Sequence, residues 1–196
     1  MFSPQVEWLP PEEFKDLSKY DEIAIDLETK DPELKTMGSG SVTGKGRIVG
    51  IALAVTDWSA YYPIAHEGGG NMDEKKVMDY FRTVLNLPAK KIFHNAMYDV
   101  CFIRAAGLQI AGEIVDTMIA GSLVDENRFR YDLGSMGRDY LGKGKNEAIL
   151  AETAKEWGID PKSEMYKLPA MYVGEYAERD AELTLVLGEE MKKEIY

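Results

Sequence analysis

Short apolar runs separated by turn residues dominate the first 115 residues of the chain. Each run has the length and the richness in Val, Ile and aromatic residues that are typical of a buried strand. The predicted strands are Glu22–Leu27, Arg47–Thr56, Ser59–Ile64, Lys90–Phe93 and Ile110–Val115. The turn at Asp57–Trp58 joins the second and third strands into a hairpin, which we expect to lie beside the first.

In the second half of the chain, apolar residues recur mainly at the spacing typical of helices. The predicted helices are a short one at Glu12–Ser18 and longer ones at 73–85, Ala96–Ala106, Thr117–Val124, Asp132–Leu141, Asn146–Trp157 and Tyr172–Tyr196. The Gly-rich stretch Lys30–Gly46 predicts a long loop, a feature that is more often functional than idle in a compact domain. Strands followed by interleaved helices predict an α/β fold with a mixed sheet flanked by helices, in a single domain spanning residues 1–196.

Composition narrows the possible partners. The chain has 196 residues, 45% of them hydrophobic, and a net charge of −11. That charge argues against broad nonspecific coating of nucleic acid, but it permits local binding of one strand end. The longest apolar run, Ile48–Val55, is too short to cross a bilayer, so we expect no membrane partner. Cys101 is the single cysteine, which fits a reducing compartment and an expected cytoplasmic location, in a bacterium or a phage-infected host cell.

Two carboxylates stand at the end of the first strand. Residues i and i+2 of a strand point to the same face about 6–7 Å apart, so Asp26 and Glu28 lie side by side. Two like charges held this close repel each other, and a divalent cation relieves the repulsion. The pair therefore predicts half of a metal site. The alternative is that the strand ends at Asp26 and both acids lie in water.

Two further acidic sites are ambiguous when taken alone. Asn95 and Asp99 follow the Lys90–Phe93 strand, where helix capping and a favourable contact with the helix dipole would also explain them. Tyr176 and Asp180 are four residues apart and share one face of the last helix. An exposed tyrosine and a solvated acid are the alternative there.

The three sites in this order resemble the exonuclease motifs of the DEDD superfamily of 3′–5′ exonucleases. The motifs are D-x-E at Asp26 and Glu28, N-x-x-x-D at Asn95 and Asp99, and Y-x-x-x-D at Tyr176 and Asp180. Tyrosine stands four residues before the last Asp, and Glu175 occupies the position of the histidine variant, so the chain resembles the tyrosine subclass. It most resembles the proofreading domain of family A DNA polymerases, of phage type. Val115-Asp116-Thr117, Tyr131-Asp132-Leu133 and Tyr140-Leu141-Gly142 agree with this resemblance.

The resemblance implies a ribonuclease H-like fold and hydrolysis assisted by two divalent cations, Mg²⁺ or Mn²⁺. It implies that Asp26 bridges both cations, that Glu28 and Asp180 complete the site of the first, and that Asp99 holds the second. Tyr176 would orient the attacking water, and Thr29 and Asn95 would contact the terminal nucleotide. The implied substrate is the 3′ end of single-stranded or frayed DNA, and the implied partner is a DNA polymerase domain or subunit.

Several alternatives stay open at this point. A ribonuclease D-like RNA exonuclease would use the same acids, and a catalytically silent domain that binds nucleic acid or a polymerase would have no need of four carboxylates. The chain ends at Tyr196 without a helix stop signal, which favours a fragment of a longer protein over a stand-alone enzyme. A basic run interleaved with aromatic residues predicts a single-strand track, with a solvated helix face as the alternative. Its residues are Arg128, Phe129, Arg130, Tyr131, Arg138, Tyr140, Lys143 and Lys145.

Overall fold

A computed structural model describes residues 5–145 and 147–196, and its strands form one mixed sheet. The strands are β1 (Glu22–Lys30), β2 (Arg47–Val55), β3 (Trp58–Pro63), β4 (Lys90–Phe93) and β5 (Ile114–Asp116). The sheet has five strands in the order β3-β2-β1-β4-β5. The β2–β3 hairpin pairs antiparallel with β1, while β4 and β5 run parallel to it. The predicted position of the hairpin beside the first strand is confirmed, and β1 is the central strand of the sheet.

Helices cover both faces of this sheet. They are α1 (Leu34–Met37), α2 (Gly40–Thr43), α3 (Glu74–Leu85), α4 (Ala96–Ala105), α5 (Thr117–Val124), α6 (Leu133–Leu141), α7 (Ala148–Trp157) and α8 (Gly174–Ile195). Short 3₁₀ turns at Met165–Lys167 and Ala170–Tyr172 lead into α8. Across the described residues, no helix combines the length and the apolarity that crossing a bilayer requires.

The alternation of side chains along β1 divides the interior into two layers. Ile23, Ile25 and Leu27 point into the larger layer, where they pack with buried residues of α3 and α4. Ala24 points to the opposite face, where small residues of β2 and α8 allow the long helix to lie close to the sheet. Asp26 and Glu28 continue the Ala24 face, since they follow it at intervals of two. The strand therefore aims its acids toward α8.

Two predicted elements, one helix and one strand, differ from the structure for local reasons. Residues 12–18 form bends and a turn instead of a helix. A seven-residue helix is short for stable nucleation, and this segment is held by side-chain packing, with the Phe14 ring stacked on Tyr62 at 5.7 Å. The last strand begins at Ile114 rather than Ile110, because Gly112 adopts a positive φ of 79° that breaks the extended chain.

The predicted loop over 30–46 is more ordered than its glycine content suggests. β1 extends through Lys30, and the rest of the stretch contains the short helices α1 and α2. The backbone N–H of Gly40 donates to Asp31 Oδ1 at 3.0 Å, which fastens the start of α2 to the end of β1. The predicted start of α7 at Asn146 lies outside the described residues, and the helix is observed from Ala148.

Candidate active site

The end of β1 is shaped to present its two acids. In the β1–β2 register, Asp26 lies opposite Ala52 and Glu28 opposite Gly50, so neither acid faces a bulky neighbour on β2. The register shifts immediately after Glu28, which marks a β-bulge between Glu28 and Thr29. Bulges bend a strand and often re-aim side chains next to active sites. Gly50 is required here because a Cβ at this position would collide with the Tyr61 hydroxyl.

α8 brings the third carboxylate to the same place. Tyr176 and Asp180 lie four residues apart on the helix face that packs against β1 and β2, where Ala177 and Ala181 are fully buried. One carboxylate oxygen from each of Asp26, Glu28 and Asp180 lies within 4.8 Å of the other two. We call these three residues the acidic cluster. The alternative in which the acids of β1 and α8 are separate and solvated is therefore wrong.

The cluster carries more negative charge than its surroundings neutralise. Burial, followed by the charge of Asp180, raises the pKa of Asp26 to about 7. Burial, followed by the charges of Asp26 and Asp180, raises the pKa of Glu28 well above its usual range. Burial likewise raises the pKa of Asp180, against the opposing effect of Lys145. In the absence of a further cation, the cluster relieves its repulsion by taking up protons.

The two carboxylate oxygens of Asp180 lie in different environments. Its Oδ2 accepts a hydrogen bond from Lys145 Nζ at 2.9 Å, and the same Nζ donates to the Tyr176 hydroxyl at 3.0 Å. Its Oδ1 is buried and has no hydrogen-bond partner among the described residues. A buried carboxylate oxygen without a partner is costly unless a ligand completes it. The donor set of three carboxylates is the kind that Mg²⁺ and Mn²⁺ prefer, so these residues fit a divalent cation.

Asp99 reaches the cluster from the opposite layer. It lies in the first turn of α4, it is 5% exposed, and it accepts a hydrogen bond from the Leu27 N–H at 3.4 Å. Burial, followed by the charge of Asp26, raises the pKa of Asp99 well above its usual range. Asp99 is not one of the three residues whose oxygens converge within 4.8 Å. The structure therefore places it beside Asp26, in contact with the β1 backbone, and a direct metal contact stays a prediction.

Asn95 is held in an unusual backbone conformation at the start of α4. It is exposed and has a positive φ of 65°, a left-handed conformation that Asn tolerates better than most residues. Its side chain does not cap the helix. Asp116 at the end of β5 does so instead, accepting hydrogen bonds from the N–H groups of Asn95 at 3.0 Å and Ala96 at 2.8 Å. The capping alternative for Asn95 is therefore wrong, and its amide is aimed outward.

Thr29 belongs to a hydroxyl network rather than to the acidic cluster. The Tyr98 hydroxyl donates to Asp31 Oδ2 at 2.9 Å and lies 2.9 Å from Thr29 Oγ1. The Tyr98 hydroxyl has one proton and donates it to Asp31, so the Thr29 hydroxyl is the donor to the Tyr98 oxygen. This network fixes the chain just beyond the acidic cluster. A contact between Thr29 and a nucleotide stays a prediction.

A groove of about 860 Å³ runs over the acidic cluster. Asp26, Glu28, Tyr176 and Asp180 line it together with Arg130, Tyr131, Arg138 and Lys145 of the predicted basic run. The remaining members of that run lie elsewhere. Arg128 is paired with Asp139 at 2.8 Å and stacks over Tyr140, while Phe129 and Lys143 are exposed. Only part of the predicted basic track therefore borders the acids.

Comparison with known proteins identifies the family. Residues 9–196 match the 3′–5′ exonuclease domain of family A DNA polymerases. This chain belongs to that exonuclease family. It is 35% identical over 178 residues to a DNA-directed DNA polymerase of Pseudomonas phage M6, a match that covers 88% of this chain and 27% of that protein. It is 26% identical over 137 residues to DNA polymerase I of a Synechocystis strain, covering 69% of this chain and 13% of that protein.

Solved structures share the fold of this exonuclease domain at low sequence identity. Brucella melitensis NrnC with bound Mg²⁺ superposes with a TM-score of 0.62 at 17% identity, covering 92% of this chain and 76% of that one. Escherichia coli RNase D, an exoribonuclease involved in structured RNA processing, gives a TM-score of 0.58 at 17% identity, covering 90% of this chain and 40% of that one. These similarities confirm the ribonuclease H-like fold, and they extend to RNA-processing as well as DNA-polymerising proteins.

The exonuclease motifs predicted that the acids of β1 and α8 lie close together. They did not predict the contacts of Lys145 and Asp116, which hold the neighbouring groups in place. Lys145 was predicted as part of a nucleic-acid track, yet its ammonium lies against Asp180 and Tyr176. The sequence carries no signal for this contact, because the partners are 31 and 35 residues away. Asp116 was noted only as part of a helix start. Its capping of α4 would follow from the sequence only once β4 and β5 were known to be neighbours.

Proposed function

We propose that this chain is a metal-dependent 3′–5′ exodeoxyribonuclease that removes nucleotides from the 3′ end of single-stranded or frayed DNA. The observation that carries the proposal is the acidic cluster in the groove, in which Asp180 keeps one buried oxygen without a partner. Membership of the polymerase exonuclease family supports it. Arginines at the rim of the same groove supply positive charge for the phosphate backbone of a strand.

The chemistry requires positioning and charge neutralisation. Two divalent cations, when bound, supply Lewis acidity and neutralise charge on the phosphodiester. We assign Asp26, Glu28 and Asp180 as the residues that hold them, with Asp99 contributing to the second. In the hydrolysis, the oxygen of water bonds to phosphorus as the P–O3′ bond breaks, which releases a nucleoside 5′-monophosphate and leaves a new 3′-hydroxyl on the shortened strand.

Tyr176 is assigned to orient the attacking water. Burial, followed by the charge of Asp180, raises its pKa above the ordinary value near 10, so the phenol stays protonated at neutral pH. A protonated phenol is a hydrogen-bond donor and acceptor and a poor general base. Arg130 and Arg138 are assigned to phosphates of the strand, and Thr29 and Asn95 to the terminal nucleotide.

DNA is the proposed substrate because the 35% identical relative is a DNA-directed DNA polymerase. The chain spans 27% of the length of that relative, so a polymerase domain, on the same chain or another, is the proposed partner. Proofreading then follows as the proposed role, since a mismatched primer end frays more readily than a paired one. A ribonuclease D-like activity on RNA would use the same acids, and the experiment below separates the two.

The test is digestion of end-labelled oligonucleotides with Mn²⁺ or Mg²⁺ and with excess chelator. A 5′ label on single-stranded DNA should give a descending ladder, whereas a 3′ label should be released at once as a mononucleotide. A mismatched primer terminus should be trimmed faster than a matched one. Preference for RNA of the same sequence would overturn the substrate assignment. Full digestion in chelator would overturn the metal assignment, and label release from the 5′ end would overturn the direction.

A further inference from the structure

Lys145 occupies a position inside the acidic cluster that the proposed mechanism does not use. It lies in the connection between α6 and α7, and its side chain reaches into the groove with 20% of its surface exposed. Its ammonium donates to Asp180 Oδ2 and to the Tyr176 hydroxyl, and it lies 5.1 Å from the centre of the Tyr176 ring. Within residues 5–145 and 147–196, no other cation is ion-paired with a member of the acidic cluster.

These contacts fix the orientation of two groups at once. Because Oδ2 of Asp180 is taken by Lys145, Oδ1 is the oxygen left for a ligand, and it is the buried oxygen without a partner. Because Lys145 donates to the Tyr176 oxygen, that contact leaves the phenolic proton free to be donated elsewhere. A carboxylate and a phenol on the same helix face are thereby locked together by one ammonium.

We propose that Lys145 is a positioning residue that holds Tyr176 against Asp180 and makes Asp180 Oδ1 the oxygen presented to a divalent cation. This inference rests on the proposed function, since the cation and the oriented water belong to it. Lys145 also places one positive charge next to the cation site. It therefore opposes cation binding while improving the geometry of what is bound.

Lys145 affects cation binding in two opposing ways, by repelling the cation and by fixing the Asp180 side chain. These two effects differ in size, which makes the inference testable. Repulsion between an ammonium and a divalent cation a few Å apart is strong even at the effective dielectric of a protein groove. Losing the fixed rotamer of one carboxylate weakens binding by less, because only a small amount of side-chain entropy is at stake. Removal of the lysine charge should thus strengthen cation binding and slow turnover together. A residue that simply bound DNA phosphate would instead raise the KM for DNA.

The first measurement is calorimetric titration of Mn²⁺ into the wild type, Lys145→Met, Lys145→Arg and a control, Lys155→Met, which removes an exposed lysine from α7. We expect Lys145→Met to bind Mn²⁺ about tenfold more tightly and to melt at a lower temperature than wild type in chelator, where the acids have lost their counter-charge. Lys145→Arg should keep the wild-type affinity, and Lys155→Met should match wild type throughout. An unchanged or weaker Mn²⁺ affinity in Lys145→Met would overturn the proposal.

The second measurement is a double-mutant cycle with Tyr176→Phe, at saturating Mn²⁺ and single-stranded DNA. Because Lys145 acts partly through Tyr176, the double variant should lose less kcat than the product of the two single losses, with the KM for DNA unchanged. Losses that multiply, or a KM that rises in Lys145→Met, would contradict the positioning role. Absence of DNA digestion by the wild type would count against the proposed function instead, and the Mn²⁺ affinities would still test Lys145.

Discussion

Two of the places where polar side chains are buried differ in how completely their polar atoms are paired. In the histidine cluster, formed by buried Tyr61 and His66 and exposed Asn71, each side chain has a hydrogen-bond partner. His66 Nδ1 donates to the Leu168 carbonyl at 3.1 Å, its Nε2 accepts from the Tyr61 hydroxyl at 2.6 Å, and Asn71 pairs with the His66 backbone. In the acidic cluster, three carboxylates share a single ammonium, and Asp180 Oδ1 has no partner among the described residues.

The difference distinguishes buried polar groups that stabilise the fold from buried polar groups that serve the function. The histidine cluster is complete without a ligand, so its groups hold the chain after β3 against the loop that precedes α8. The acidic cluster is incomplete as folded: Asp180 Oδ1 lacks a partner, and it lies among carboxylates whose charges also lack full compensation, which favours a cation that completes the site. This contrast leads us to assign chemistry to one cluster and stability to the other, although both contain buried titratable groups.

The largest effect should come from removing two members of the acidic cluster. Asp26→Ala combined with Glu28→Ala should lower DNA cleavage by about 10³-fold or more, because the cations then lack most of their ligands. The double variant should melt no lower than wild type in chelator, since two repelling charges are gone. The matched control is Glu12→Ala with Glu13→Ala, two exposed acids far from the groove. A clear drop in the melting temperature of the Asp26 and Glu28 variant would show that these acids stabilise the fold.

Tyr176→Phe should have the next largest effect on cleavage. The ring keeps its packing on α8 while the hydroxyl that would orient water is lost, so we expect a loss of about 10²-fold or less in kcat. Mn²⁺ affinity should stay near that of wild type. Tyr172→Phe removes a hydroxyl from outside the groove and serves as the control. Wild-type turnover of Tyr176→Phe on single-stranded DNA, at saturating Mn²⁺, would remove this tyrosine from the site.

The two clusters should respond to pH in opposite directions. Burial lowers the pKa of His66 to about 4 from 6.5, so the unfolded chain binds the proton more tightly. The stability that His66 contributes is therefore complete above pH 6.5 and declines as the pH falls toward 4, by at most about 1.4 kcal/mol per pH unit. Urea unfolding of wild type and His66→Gln across this range should differ in slope by this amount, because the carboxyl groups titrate in both proteins. Equal slopes would mean that folding does not lower the pKa of His66.

In chelator, the acidic cluster makes the folding stability change with pH in the opposite direction. Asp26 has a pKa raised from 3.8 to about 7, so here the folded chain binds the proton more tightly and stability falls as the pH rises through that window. Asp26→Ala with Glu28→Ala should flatten this decline, and saturating Mg²⁺ should do the same in wild type. Equal pH dependence of the wild type and the Asp26→Ala/Glu28→Ala variant in chelator would contradict the repulsion on which this account depends.

The smallest expected effect concerns the strained residue at the start of α4. Asn95→Gly should change the free energy of unfolding by less than about 1 kcal/mol, because relief of the left-handed conformation is offset by the flexibility of glycine in the unfolded chain. The loss of the amide should nevertheless raise the KM for DNA. Asn95→Ala loses the amide but keeps a Cβ at a φ of 65°, so it should be less stable than Asn95→Gly. A KM that neither substitution moves would exclude Asn95 from nucleotide contact.

The sequence predicted most of the fold and the acids, for physical reasons that also explain what it missed. Alternation along β1 and the four-residue interval between Tyr176 and Asp180 are local, so the faces of these elements follow from the sequence. The alignment of β1 with α8 was accessible only through the resemblance of three motifs to one family. Lys145 could not be predicted because a loop delivers it to the site, and the path of a loop depends on the packing of α6 and α7. Helix capping stayed open as an alternative for Asn95 because the true cap, Asp116, is on a different strand.

Mn²⁺ titration of the wild type beside Asp26→Ala/Glu28→Ala tests the central claim that the acidic cluster is completed by a divalent cation. The wild type should bind Mn²⁺, and at a concentration about 100 times the Kd it should gain about 2.7 kcal/mol of stability. The double variant should show neither the binding heat nor the rise in melting temperature. Equal binding by both proteins would place the cation elsewhere, and no binding by the wild type would contradict the account directly.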